Sequence, residues 1–377
     1  MGPLAGIRGL EVGGIGPGPF CGMMLSDMGA EIIRLERKDH VHPIELRYDT
    51  MLRGRRAIIG VDLKSPKGVE VVLRLVERSH LLYEGFRPGV MEGLGLGPDV
   101  CLARNPGVVY GRVTGWGQEG PLASAAGHDI NYIAIMGVLH AIGGHGQKPV
   151  PPINLIGDFA GGGMLLAFGL LCGLLRARET GEGQVVDTAM VDGIGLLMAT
   201  TFGLLAAGLW QDERGRNLLD GGAHFYDSYE TADGKYVSVG ALELKFYSRL
   251  LKLLGVDGPE FHPKMNVKKW PALREKLAAI FRTKTREEWC RILDGQDCCF
   301  TPVLSLQESM DHPHNVTRKG FVDIDGVRQP APAPRFSRTP PEGRGVPPTL
   351  PEHNESVLKE WGFSAEELHS LKQEEVI

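Results

Sequence analysis

A basic excess is missing from this 377-residue chain, in which 41 Lys and Arg stand against 46 Asp and Glu for a formal charge of -5. Nucleic acid is therefore not expected as a partner, because nothing supplies the cationic surface it needs. Cysteine is sparse: Cys21, Cys101, Cys172, Cys290, Cys298 and Cys299 form no Cys-x-x-Cys and no Cys/His spacing suited to zinc. No metal site is expected, and reduced thiols fit a cytosol-like compartment. No basic stretch followed by an apolar core opens the chain, and Glu374-Glu375-Val376-Ile377 is not a Ser-Lys-Leu type of address. The expectation is a cytoplasmic protein, with an organelle matrix, peroxisome or mitochondrion, reached only by another import route. Internal repeats are also lacking. Two uncharged runs, Phe159 to Leu175 and Gly193 to Trp210, approach bilayer-spanning length. Their Gly, Ala and Thr content, and the Arg176-Ala177-Arg178 that follows the first, favour buried helices over membrane insertion.

What is present is length enough for roughly two or three domains. The N-terminal part alternates strand and helix patterns. Gly9 to Val12 reads as a strand, Pro19 to Met28 as a helix and Glu31 to Leu35 as a strand. A helix opens at Ser65-Pro66, with Ser65 placed to cap it and Pro66 at the first helical position. Strands follow at Leu81 to Glu84 and Gly107 to Val113. That order argues for an α/β fold with a parallel sheet covered on both faces. Gly13-Gly14-Ile15-Gly16-Pro17-Gly18-Pro19 invites a dinucleotide reading, with Glu36 near the end of the next strand. Pro17 and Pro19 remove two backbone donors that such a site requires, so a tight turn near a ligand is the better reading. From about Gly221 a smaller α+β unit begins: a half-exposed strand at Lys235 to Gly240, an amphipathic helix at Leu244 to Leu254, and helix patterns at Trp270 to Phe281 and Thr285 to Leu293. Thr285 with Glu288, and Ser364 with Glu367, read as capping boxes. A proline-rich connection lies between them at Pro330 to Pro334 and Pro347-Pro348.

Two polar residues stand where apolar runs start or stop: His128 in Gly127-His128-Asp129-Ile130-Asn131-Tyr132, and Asp158 in Asn154-Leu155-Ile156-Gly157-Asp158-Phe159. Taken singly, a satisfied structural histidine and a helix cap are the ordinary readings. The wider pattern changes this. Those two motifs, with Gly161-Gly162-Gly163, Gly16-Pro17-Gly18-Pro19, Arg87-Pro88-Gly89-Val90, Thr114-Gly115-Trp116-Gly117-Gln118, Leu219-Asp220-Gly221-Gly222-Ala223, Thr301-Pro302-Val303 and Pro334-Arg335-Phe336, resemble the racemase branch of the family III CoA-transferase (CaiB/BaiF-type) superfamily nearly end to end.

The resemblance implies a Rossmann-like large domain plus a smaller α+β domain in an interlocked-ring homodimer, with active sites between the large domain of one subunit and the small domain of the other. On that pattern residues 1–195 form the first part of the large domain, 196–222 a linker, 223–310 the small domain, and 311–377 a return linker and the C-terminal completion of the large domain. The implied partner is an acyl-CoA thioester, and the implied reaction is epimerisation of the α-carbon of 2-methylacyl-CoA, a step of lipid metabolism. No cofactor is implied, since CoA is part of the substrate. A thioester acidifies its α-carbon, and inversion needs a base on one face and an acid on the other. The matching residues are His128 and Asp158, with Glu243 orienting the histidine. Backbone N–H groups from the Gly161–Gly163 segment or the Gly13–Gly18 turn are candidates for the enolate oxygen. Arg37, Lys64 and Arg87 match CoA-binding cations.

Departures are Gly93, where relatives often carry Lys or Arg, Leu244-Lys245 in place of Pro-Gln, and His224 in place of Pro, read here as part of a linker. Met23, Met24, Met190 and Met198 read first as core and second as an adaptable acyl surface. The alternative is a family III CoA-transferase in which Asp158 is the nucleophile and forms an acyl anhydride. His128 favours the racemase, because the transferases usually have an aromatic residue at that place.

Overall fold

Short strands of Ile, Leu and Val that are apolar on both faces are stable only in a sheet covered on two sides. In the computed structural model, which describes residues 2–256 and 258–377, β1 (Arg8–Val12), β2 (Glu31–Glu36), β3 (Ala57–Gly60), β4 (Leu81–Glu84), β5 (Val109–Thr114) and β6 (Val185–Ala189) make one sheet in the order β3-β2-β1-β4-β5-β6. Every neighbouring pair is parallel. This is the doubly wound order, with its switch point between β1 and β4. Two of its strands escape a sequence reading. β3 is an apolar run of only four residues, too short to be told from a turn, and β6 is an edge strand interrupted by Asp187 whose first three residues are not buried.

Successive strand residues face opposite sides. Ile32, Leu81 and Val109 pack under the helices Pro17–Asp27 and Leu165–Thr180, while Ile33, Leu82 and Tyr110 pack under Pro66–Val76, Pro98–Arg104 and the C-terminal helices Pro351–Glu360 and Ala365–Gln373. Ser65 does take the cap position and Pro66 the first helical position, but the Ser65 hydroxyl makes no cap bond. The capping boxes of Thr285 with Glu288 and Ser364 with Glu367 are both closed.

Two compact units emerge. The larger comprises the chain up to Met136, Ile153–Leu197 and Lys319–Ile377; the smaller comprises Gly137–Pro152 and Met198–Arg318. The excursion Gly137–Pro152 has no apolar periodicity to announce it, and Arg214 holds it by donating to the carbonyls of His140 (2.7 Å) and Gln147 (2.8 Å). In the smaller unit β7 (Tyr226–Glu230), β8 (Tyr236–Gly240) and β9 (Phe300–Val303) form an antiparallel sheet. Phe225, Tyr247, Phe281 and Trp289 lie in the core between it and the helices Leu244–Leu254, Trp270–Phe281 and Arg286–Leu293.

The long apolar runs are not simply buried. Leu155–Thr180 is one helical span, long and apolar enough by composition to cross a membrane. Its inward residues Leu166, Leu170 and Leu174 are buried, whereas Phe168 and Leu175 are 65% and 66% exposed. The second run breaks at Met198 into helices Met190–Leu197 and Ala199–Ala206, and the latter buries no residue at all within the chain.

Candidate active site

The turns that leave the carboxyl ends of parallel strands converge on the cleft where doubly wound sheets hold ligands. Here a cavity of about 280 Å³ opens, walled by Phe86 and Arg87 after β4, Thr114 at the end of β5 and Trp116 after it, and His128 and Asp158.

His128 ends the loop from β5 and precedes the helix Asp129–Ile135. Its own N–H donates to Asn131 Oδ1 (3.0 Å), and the Asn131 N–H returns a bond to the His128 carbonyl (2.8 Å). The Tyr132 hydroxyl donates to the Gly127 carbonyl, and its ring meets Trp116 edge-on at 4.7 Å. A Cβ on Gly127 would come within 2.9 Å of both rings, which is why glycine precedes the histidine. The backbone of His128 is thus fixed while its imidazole stays exposed on the cavity wall.

Asp158 lies inside the segment Leu155–Met164, which winds as a wide π-helix before tightening into Leu165–Thr180. It is therefore not the cap of the Phe159 run. Such wide turns are uncommon and frequent at functional sites. Asp129 holds this one: its buried Oδ2 accepts from the N–H groups of Gly157 (2.6 Å) and Asp158 (2.9 Å), while its Oδ1 is buried without a partner among the described residues. Gly157 must be glycine, since a Cβ would sit 2.6 Å from that carboxylate. Asp158 Oδ2 accepts from Asn154 Nδ2 at 3.0 Å. Burial raises the Asp158 pKa above the ordinary carboxylate value; the Asn154 bond pulls it back, the Asp129 charge raises it further, and His128 opposes that rise. Asp129 and Asn154 do not stand out in the sequence. Their only signal is their place in the same Gly-rich motifs as His128 and Asp158.

The Gly13–Gly16 turn closes the cleft from β1. A Cβ on Gly16, whose φ is 68°, would lie 3.1 Å from Asp158 Oδ2. Arg34 shapes the turn by donating to the carbonyls of Gly13 (3.2 Å) and Gly14 (2.9 Å), its buried charge matched by Glu11 and Glu36. Glu36 also meets His42 at 3.1 Å, so it is not free for a ribose. Glu36, His40 and His42 bring ligand atoms within 4.8 Å of one another, with Glu36 already paired to Arg34. Gly161, Gly162 and Gly163 are buried by packing: a Cβ on Gly162 or Gly163 would press on Pro17 at 2.9 or 2.8 Å. Of the two glycine segments, only the Gly13–Gly18 turn borders the cavity, through Ile15 and Pro17.

Arg37, Lys64 and Arg87 follow the carboxyl ends of β2, β3 and β4, and all three are exposed or partly so. Arg87 lines the cavity with His128 and Asp158. Arg37 and Lys64 lie along the same sheet edge outside it, and Arg37 is 3.5 Å from Asp39. Gly93 faces open space. Of Met23, Met24, Met190 and Met198, Met190 reaches the cavity wall. Glu243 is an exposed residue of the smaller unit, at the N-cap of helix Leu244–Leu254. His224 corrects the linker reading: it is fully buried in the smaller unit's core, its Nε2 2.7 Å from the Tyr247 hydroxyl. Burial, aided by the Lys264 charge, pushes its pKa down to about 4.

A doubly wound sheet with an imidazole and a half-buried carboxylate on one cleft at its carboxyl edge defines an α/β protein equipped for acid–base or acyl chemistry. The chain belongs to CoA-transferase family III, whose model matches residues 4–354. It is 44% identical over 380 residues to alpha-methylacyl-CoA racemase of Mus musculus, covering 99% of this chain and 97% of that protein. It is 43% identical over 382 residues to the Homo sapiens protein of the same name, with the same coverage. The crystal structure of a CAIB/BAIF family protein from Brucella suis matches with a TM-score of 0.81, covering 96% of this chain and 99% of that one at 24% identity.

Proposed function

We propose that this chain epimerises the α-carbon of 2-methylacyl-CoA thioesters by a two-base proton transfer through an enolate. The observation that carries the reading is the pairing, on one cavity, of an exposed imidazole with a carboxylate whose pKa is raised. A carboxyl that holds its proton above the ordinary range serves better as an acid near neutral pH, and imidazole is the side chain most often used as a general base. His128 works on one face of the α-carbon and Asp158 on the other, the roles reversing with the epimer. Asp129 keeps the Asp158 backbone in place, and Asn154 orients its carboxylate.

The substrate brings its own CoA, and no further cofactor is assigned. Lys64, Arg37 and Arg87 follow strands β3, β2 and β4, a row of roughly 15 Å at ordinary strand spacing, long enough to follow the phosphates of an extended ligand toward the cavity. Glu243 is assigned the task of pairing with the imidazole across a homodimer. The outward residues Phe168 and Leu175, seven residues apart on one helix, support that assembly, because exposed apolar residues gathered on one face mark a partner surface.

The test is incubation with a single epimer of a 2-methylacyl-CoA in deuterium oxide. α-Hydrogen exchange without an acceptor acid is expected. CoA passing to a free acid without exchange would show instead the transferase, with Asp158 as nucleophile. His128→Ala and Asp158→Ala are each expected to lower epimerisation by a factor on the order of 10²–10⁴ while circular dichroism stays unchanged. Near-normal turnover in either refutes its role.

A further inference from the structure

In the smaller unit an ammonium group is buried where most proteins place none. Lys264 is 8% exposed, and burying a charge is costly unless hydrogen bonds replace its water. Its Nζ donates to the carbonyls of Ala241 (3.1 Å) and Leu242, the two residues directly before Glu243. The charge lies over the Phe225 ring at 4.2 Å and near the Tyr247 ring at 5.5 Å, which favour a desolvated cation. Both ends of the contact are anchored. The Trp270 indole donates to the Lys264 carbonyl (2.9 Å), the Ala241 N–H to the Phe225 carbonyl (2.9 Å), and the Tyr247 N–H to the Glu243 carbonyl (3.0 Å). Burial lowers the Lys264 pKa, and the nearby Glu243 charge works against that shift.

We infer that Lys264 is a positioning residue for Glu243, pinning the Ala241–Leu242 carbonyls so that the glutamate leaves the end of β8 at one fixed point. The inference rests on the assignment of Glu243 to the histidine given above. Without the ammonium, two inward carbonyls lose their donor and the β8-to-helix corner must shift to find water. Misplacement of a reacting group by about 1 Å can cost around 10²-fold in rate.

A double-mutant cycle with Lys264→Met and Glu243→Gln in the full-length protein tests this, measuring kcat and KM for epimerisation with circular dichroism as the check on folding. Lys264→Met should lower kcat by about 10–100-fold with KM nearly unchanged, and should add little further loss in the Glu243→Gln background. Wild-type kcat in Lys264→Met beside a damaged Glu243→Gln overturns the inference alone, as do two losses that multiply. Wild-type kcat in Glu243→Gln removes the glutamate's role and the inference with it. Should Lys264→Met fail to fold, Lys264→Gln, whose amide is one bond too short to reach both carbonyls, takes its place in the same cycle, where the same outcomes support or overturn the inference.

Discussion

The two covered faces of the parallel sheet are built alike on the inside and differently on the outside. On one, helix Pro66–Val76 turns Val71, Val72, Leu75 and Val76 inward and, with Glu77 just after it, presents Lys67, Glu70 and Arg74 outward; Lys67 meets Glu374, Arg74 meets Glu367, and Glu70 and Glu77 both meet Arg104. On the other, helix Leu165–Thr180 turns Leu166, Leu170 and Leu174 inward and shows Phe168, Cys172 and Leu175. The first face is finished in water. The second satisfies the sheet and then presents a further apolar layer, which is the mark of a surface made to be covered. It is also the face that carries chemistry, because the π-helical turn with Asp158 runs directly into its main helix. Apolar exposure on this side and the candidate site are thus parts of one continuous segment.

The sharpest way to break the comparison is to charge the second face. Phe168→Glu combined with Leu175→Glu is expected to convert a dimer into a monomer in sedimentation velocity and to abolish epimerisation, if the partner subunit supplies Glu243. Arg74→Ala on the first face should change neither assembly nor turnover. A wild-type protein that sediments as a monomer, or a double variant that still dimerises, removes the proposed assembly.

This asymmetry also separates what could be read from the sequence from what could not. The strand-helix alternation indicated a parallel sheet, and the pattern around His128, Asp158 and Arg87 put forward three residues that share one cavity. Two kinds of feature stayed hidden. Some have too little local signal: four-residue β3, edge strand β6, and the Gly137–Pro152 excursion held by Arg214. Others are tertiary by nature. The apolar runs read as buried helices, and only the resemblance suggested burial within a dimer, because composition does not say whether an apolar face meets its own chain or another. Nothing in Gly-His-Asp-Ile-Asn-Tyr marks Asp129 as the acceptor for Gly157 and Asp158. A lone Lys264 or His224 gives no warning that it lies inside an aromatic core.

A smaller effect compares the two faces residue for residue. Leu75 is fully buried under the first face, so Leu75→Ala should cost about 2–5 kcal/mol in urea unfolding through lost transfer energy and the cavity left behind. Leu175 lies outside the second face, so Leu175→Ala should change the stability of the isolated chain by less than about 0.5 kcal/mol. Its effect should appear only as a dependence on protein concentration, since a weakened interface lowers stability by mass action. An equal and concentration-independent loss in both variants would mean that Leu175 is covered by its own chain.

The gentlest test stays on the second face and removes a single charge. Asp129→Asn keeps an oxygen to accept from the N–H groups of Gly157 and Asp158, and places its amide NH₂ where Oδ1 now has no partner among the described residues. The geometry is preserved while one contribution that raises the Asp158 pKa is lost. The sign is fixed. Asp158 in the folded protein holds its proton to higher pH than in the unfolded chain, so its contribution to stability is full below the unfolded pKa and is lost as pH rises through the folded value. Removing the Asp129 charge lowers that folded value, so the loss at neutral pH becomes smaller. In the direction where Asp158 is the base, the acid limb of kcat/KM should move to lower pH in Asp129→Asn, measured as initial rates of α-proton exchange across the acid range. A limb that stays in place would show that Asp158 does not govern it, and a limb that moves to higher pH would show that the carboxylate at Asp129 had been stabilising the ionised form of Asp158 through its grip on the backbone.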